Sequence, residues 1–182
     1  MSYPIGTAAN MVALALAEVG YVEKPTNRVK YNGEAFEHAW CGDFQDWLCK
    51  QNNMKMPSQR STVLGFNKMR DIGRGVTDKP QIGDWVYMGW GAKGEIQHIG
   101  LLVGYADATH ILTVEGNTSD KSQNNGGMVM LKKRPFDQHI IGFTRPKYVP
   151  YKGEYPKVEF EDKSVAKPKK KGLLKKWTTQ RK

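Results

Sequence analysis

The 182-residue chain has only two cysteines, no apolar run long enough to cross a membrane, and no HExxH, CxxC or GxSxG motif. Each absence excludes something. Two thiols cannot build a disulfide framework. Cys41 and Cys49 are eight positions apart, about 12 Å along a helix, which is beyond disulfide reach, so both are expected to be free. Without paired cysteines or a histidine pair at helical spacing, structural zinc is not expected. Without GxSxG there is no serine hydrolase elbow. "MVALALAEVG" is the most apolar stretch near the N-terminus, but it has no basic segment before it and contains Glu18. It reads as a core-facing helix and not as a signal peptide. "GWGAKG", Gly89 to Gly94, satisfies G-x-G-x-x-G, yet the pattern after it is a strand, so the helix N-terminus that binds pyrophosphate is missing. "NTS" at Asn117 matches a glycosylation acceptor, a chance match in a chain read as having no leader.

Acid is missing from one region altogether. The last twenty residues, Lys163 to Lys182, hold nine Lys or Arg and no Asp or Glu, and they carry nearly all of the formal net charge of +10. The body before them is close to neutral. Leu173, Leu174 and Trp177 sit among these lysines, a composition suited to an anionic surface such as wall polymer or membrane lipid and equally to a solvated tail. No specific nucleic-acid role is expected.

What remains is a length and an apolar content, 39%, that suit one domain with a real core. Helical spacing runs from Thr7 to about Val19, with Ala8, Val12, Ala15, Leu16 and Val19 on one face. A second helix is expected from Cys41 to "KQNN", burying Phe44, Trp47 and Leu48. A third covers "STVLGFNKMRDIG" and stops at Gly73. Five short segments follow, "DWVYMGW", "EIQHIGLLVGY", "HILTVEGNT", "GGMVMLKKR" and "IIGFTRP", all rich in β-branched or aromatic residues and parted by Gly, Asp and Asn. Helices followed by strands predict an α+β domain, N-terminal helices packed on a mainly antiparallel sheet. The domain is expected to span residues 1–150, with linker and basic tail over 151–182.

"EHAWCGDFQDWLCK" places Cys41 at the opening of the second helix. A lone cysteine is more often an inert apolar residue than a nucleophile, so the catalytic reading needs a base and a group to orient it. Of four histidines, His38 is too near in sequence to face the thiol easily. His139 has no acidic partner in register, and His110 shares its strand face with Leu112 and Val114. His98 shares a face with Gly100 and Leu102, while Glu115 and Asn117 share the alternate face of the next strand. If the two strands pair, His98 meets Glu115 or Asn117 across the ladder. Gly100 would then leave room for substrate or for the helix bearing Cys41.

The order of cysteine at a helix start, histidine on a strand and Glu-x-Asn on the next strand resembles the CHAP family. These are the cysteine- and histidine-dependent amidohydrolases and peptidases of bacterial cell walls. "AWCGDFQDW", "GDWVYMGW", "QHIGLLVGY", "TVEGNTSD" and "IIGFTRPKY" carry the resemblance, from Thr7 to Tyr148. It implies a papain-like fold and a peptidoglycan hydrolase of the phage endolysin kind. Such an enzyme is an N-acetylmuramoyl-L-alanine amidase or an endopeptidase, a monomer made in the host cytoplasm and acting at the wall after release. It further implies Cys41 as nucleophile, His98 as base and later acid, and Glu115 orienting the imidazole with Asn117 assisting. Cysteine peptidases of the NlpC type share the Cys-then-His order but lack the Glu-Gly-Asn segment. A non-catalytic basic wall-binding module is the alternative from another class.

Part of that family has a calcium loop just before the nucleophile. By resemblance, Asn32, Glu34, Phe36, His38 and Asp43 occupy its positions, with Asn and Glu where Asp is usual and Phe where Tyr is usual. Calcium needs six to eight oxygens. Apart from the resemblance, Asp43 reads as a first-turn acid favoured by the helix dipole.

Overall fold

The computed structural model describes residues 2–33, 37–91, 94–122 and 125–160. The described residues form an α+β structure of three helices and a five-stranded antiparallel sheet. Helix α1 spans Ala8–Ala17 and opens where the Thr7 hydroxyl accepts the Asn10 N–H at 3.1 Å, a side-chain cap for an otherwise orphaned donor. Helix α2 spans Cys41–Gln51. Helix α3 spans Thr62–Asp71 and is capped by Ser61, whose Oγ accepts the Leu64 N–H. Gly73 at φ +72° ends its last turn, taking the left-handed conformation that a side chain would disfavour.

Strands β1 (Trp85–Met88), β2 (His98–Asp107), β3 (His110–Thr118), β4 (Met128–Pro135) and β5 (Ile140–Thr144) form one sheet in the order β4-β3-β2-β1-β5. The first four make a meander, and β5 returns to pair on the far side of β1. All five segments read as strands in the sequence are strands, because their short apolar alternation meets turn residues at both ends.

Alternation divides the sheet into two faces. Trp85, Tyr87, Ile99, Leu101, Val103, Leu112 and Val114 pack against Met11, Val12, Phe44 and Leu48 of the helices in the main core. Val86, Met88, Leu102, Ile111 and Phe143 form a smaller cluster on the other face. A Cβ on Gly116 would lie 2.8 Å from both Phe44 Cβ and Trp40 Cζ3, so the missing side chain is what lets α2 lie directly on β3.

The segment leading to α2 is held by aromatic rings. Tyr31 lies 5.4 Å from Trp40, 5.0 Å from Phe44 and 5.2 Å from Trp47 between centroids. Its hydroxyl donates to Glu18 at 2.6 Å. Trp40, the residue before α2, donates its indole N–H to Glu23 at 2.6 Å. Edge-to-face and tilted contacts of this kind contribute about 0.5–1.5 kcal/mol each beyond the area they bury. They fix where the helix starts.

Two expectations need adjusting. Leu16 is only partly buried, and Val19 is exposed and lies past the end of α1, while Met11 supplies the core contact instead. Packing also continues past Pro150, where the sequence suggested linker: Val158 and Phe160 lie against the main core. Residues 161–182, which include the basic tail, lie outside the described residues.

Candidate active site

Cys41 is the first residue of α2 and is 4% exposed. Trp40 at the cap position provides no side-chain cap, so the positive end of the helix is not neutralised by the preceding residue. Such an end favours a neighbouring anion. Acid does occur in the first turn, at Asp43, but its carboxylate is taken up elsewhere: Oδ2 pairs with His38 Nε2 at 2.6 Å, and Arg60 Nε donates to Oδ1 at 2.8 Å.

His98 is the first residue of β2 and is fully buried. Its two ring nitrogens have different neighbours. Nε2 lies 3.0 Å from Glu115 Oε2. Nδ1 has no hydrogen-bond partner among the described residues, and the Cys41 thiol is the ring's other interacting side chain. The imidazole therefore has the thiol and the carboxylate as its two titratable neighbours. Burial works against its protonation, but the Cys41 and Glu115 interactions outweigh burial and raise the ring to about 9. The direction of this shift favours the imidazolium.

Glu115, on β3, is fully buried as well. Burial alone would raise its carboxyl, and hydrogen bonds from Arg134 and His98 bring it down to about 2. Arg134 Nε donates to Oε1 at 2.8 Å and Nη2 to Oε2 at 2.5 Å, a two-pronged pair. The Thr113 hydroxyl adds a bond to Oε1 at 2.6 Å. Arg134 is opposite Ile111 in the β3–β4 ladder, so its side chain leaves the sheet on the face of Thr113 and Glu115. Trp90 lies over this group. Its ring centre is 5.2 Å from the Arg134 guanidinium carbon and 6.0 Å from the His98 ring.

Three of the four residues singled out in the sequence thus form one chain of contacts: Cys41, His98 and Glu115. Asn117 is used differently. It sits at φ +54°, accepts the Gly127 N–H on Oδ1 at 3.3 Å and donates to Asn125 at 3.3 Å. These bonds shape the β3–β4 connection. Gly100 also has another purpose than the one expected. A Cβ there would come within 2.8 Å of Glu115 Cγ, so the glycine makes room for the orienting carboxylate itself.

Arg134 was missed in the sequence because it sits in "KKRP", which reads as a solvated basic strand end. Only the strand register brings it to Glu115. The other histidines are outside the chain of contacts. His110 pairs with Asp107 at 2.9 Å on the surface, and His139 with Asp137 at 3.1 Å.

The residues matched to a calcium loop are distributed otherwise. Glu34 and Phe36 lie outside the described residues. Asn32 Oδ1 accepts the Val29 N–H at 3.4 Å, its amide donates to Asn27 O at 3.1 Å, and Asp43 is held by His38 and Arg60. A cation at Asp43 would have to displace a guanidinium. Among the described residues no group of three or more His, Cys, Asp or Glu side chains could hold a metal ion. With Glu34 and Phe36 outside the described residues, the loop as a whole is not described, and the proposed chemistry does not depend on calcium.

Comparison with models of known protein families found no match for the chain, and comparison with curated proteins found none either.

Proposed function

We propose that the protein is a cysteine amidohydrolase or peptidase with a papain-like fold of the CHAP kind, cutting an amide bond in peptidoglycan. The observation that carries this reading is the buried contact chain of Cys41, His98 and Glu115, with the thiol at a helix N-terminus. Sulfur next to a protonated imidazole is the arrangement of an activated thiol nucleophile.

In this reading the Cys41 thiolate attacks the amide carbonyl carbon. As the C–N bond breaks, His98 gives its proton to the leaving amine and a thioester remains. Neutral His98 then takes a proton from water, which attacks the thioester and releases the carboxylic acid and Cys41. Glu115 keeps the ring in orientation through both half-reactions and balances its charge. The Cys41 backbone N–H at the start of α2 is the oxyanion donor we assign. Peptidoglycan as substrate is supported by the ordered motifs from Thr7 to Tyr148 and by the basic segment 163–182, which suits an anionic wall. An endolysin, acting on the wall of a bacterial host, is the biological setting we favour.

The test is the clearing of purified cell walls followed by turbidity, with mass analysis of the fragments to identify the bond cut. Clearing by Cys41→Ala at the parent rate would end the nucleophile assignment.

A further inference from the structure

The contact chain at the site does not stop at Glu115. Beyond the Cys41 thiol, which interacts with the His98 ring, it runs imidazole, carboxylate, guanidinium, with members from α2, β2, β3 and β4 in turn. When Cys41 is a thiolate and His98 an imidazolium, the four charges alternate and sum to zero. We infer that Arg134 is a positioning residue that sets the charge balance of the Cys41–His98 couple, so that the thiolate forms at lower pH than it would without the guanidinium. The inference rests on the reading of Cys41 as nucleophile but not on peptidoglycan being the substrate.

Three observations support it. Arg134 is engaged through two nitrogens at 2.8 and 2.5 Å, which fixes the plane of the carboxylate as well as its charge. Its side chain is only 9% exposed, so solvent screens the pair little. The Trp90 ring packs on the guanidinium and lies near the imidazole, covering the group. With the guanidinium removed, the buried set would hold one net negative charge whenever the thiolate is present, and a buried uncompensated charge is costly. The set would relieve that by keeping a proton. The other charged groups nearby have their own partners: Asp43 with His38 and Arg60, Glu23 with the Trp40 indole, and His139 with Asp137 beyond Trp90.

The experiment measures the rate of Cys41 alkylation by iodoacetamide against pH, on the full chain with Cys49→Ala as background. In Arg134→Met the half-maximal point of the thiolate limb moves up by about one pH unit or more. Arg134→Lys, which keeps the charge and loses the fork, returns most of that shift. Arg134→Gln is neutral and still able to hydrogen-bond Glu115, so it repeats the shift of Arg134→Met and serves in its place if that variant does not fold. A folded Arg134→Gln or Arg134→Met whose limb coincides with the parent overturns the inference and leaves Arg134 a purely structural ion pair. Because the small reagent reads the couple directly, the result is independent of whether the protein clears cell walls.

Discussion

Two cysteines lie on one helix, eight residues apart and both 4% exposed, and their surroundings differ in kind. Cys41 is at the opening of α2 with the His98 imidazole as its partner. Cys49 is at the far end, where burial and the nearby Asp46 carboxylate push its thiol up to about 12. Burial is the same for both, so burial does not make a nucleophile. The difference lies in the partners: Cys41 has the His98 imidazole and the start of a helix beside it, whereas Cys49 has apolar atoms and the Asp46 carboxylate.

The largest effect that could break this contrast is on catalysis. Cys41→Ala is expected to lower the rate of wall clearing by on the order of 10⁴-fold or more, as loss of a nucleophile does. Cys49→Ala should stay within a few-fold of the parent. Comparable losses in both variants, followed by turbidity, would erase the distinction.

Labelling sharpens it next. At pH 7 in the folded protein, iodoacetamide should modify Cys41 and leave Cys49 untouched, as peptide mass analysis after quenching would show. Cys49 should react only once the chain is unfolded.

Removing the orienting carboxylate tests the partner itself. Glu115→Gln should lower turnover by about 10²- to 10³-fold, within the range of general acid–base contributions. It should also move the His98 titration, followed by NMR of the ring, down from about pH 9, since the imidazolium loses one of its two partners. An unshifted titration would mean that Glu115 is not what holds the proton on His98.

Stability against pH should show the same couple. The folded-state value of His98 lies above the ordinary one, so its contribution is complete below about pH 6.5 and is lost as pH rises through about 9. Glu115 is shifted the other way, so its contribution is complete above the ordinary carboxyl range and is lost as pH falls through about 2. Melting temperature should therefore decline between pH 6.5 and 9 in the parent and do so less in His98→Asn. Equal slopes would dissociate the ring's charge from folding.

The smallest expected effect concerns Gln45, one turn beyond Cys41. It is fully buried, and neither side-chain amide atom has a hydrogen-bond partner. Gln45→Met should be neutral or stabilising by about 1 kcal/mol, as read from denaturant midpoints. A marked loss of activity with no loss of stability would instead place this amide in the chemistry.

Local pattern carried most of the fold into the sequence. "HILTVEGNT" and "IIGFTRP" alternate too regularly to be helices, and Gly73 marks a helix end by its own conformational freedom. That His98 meets Glu115 or Asn117 was also legible, because adjacent strands with a short connection are antiparallel neighbours, and the structure pairs the ring with Glu115. What local pattern could not carry was anything dependent on register between distant strands. Arg134 reaches Glu115 only because it falls opposite Ile111, and no spacing rule within "KKRP" reveals that. Gly100 was assigned to the wrong neighbour for a related reason: the space it opens is filled by a side chain from the next strand. The bonds of Asn117 to Gly127 and Asn125 were not legible, because alternation ends where its backbone turns to positive φ.

The sheet order has a bearing on how activity fails on heating. β2 and β3, which carry His98 and Glu115, are interior strands, whereas β4 is an outer strand whose other side is bridged to Tyr21 and Val22 only near Met128 and Val129, away from Arg134. Edges fray before centres. Warming should therefore loosen the guanidinium's grip first and desynchronise the proton inventory while the rest of the sheet is intact, so that inactivation precedes melting.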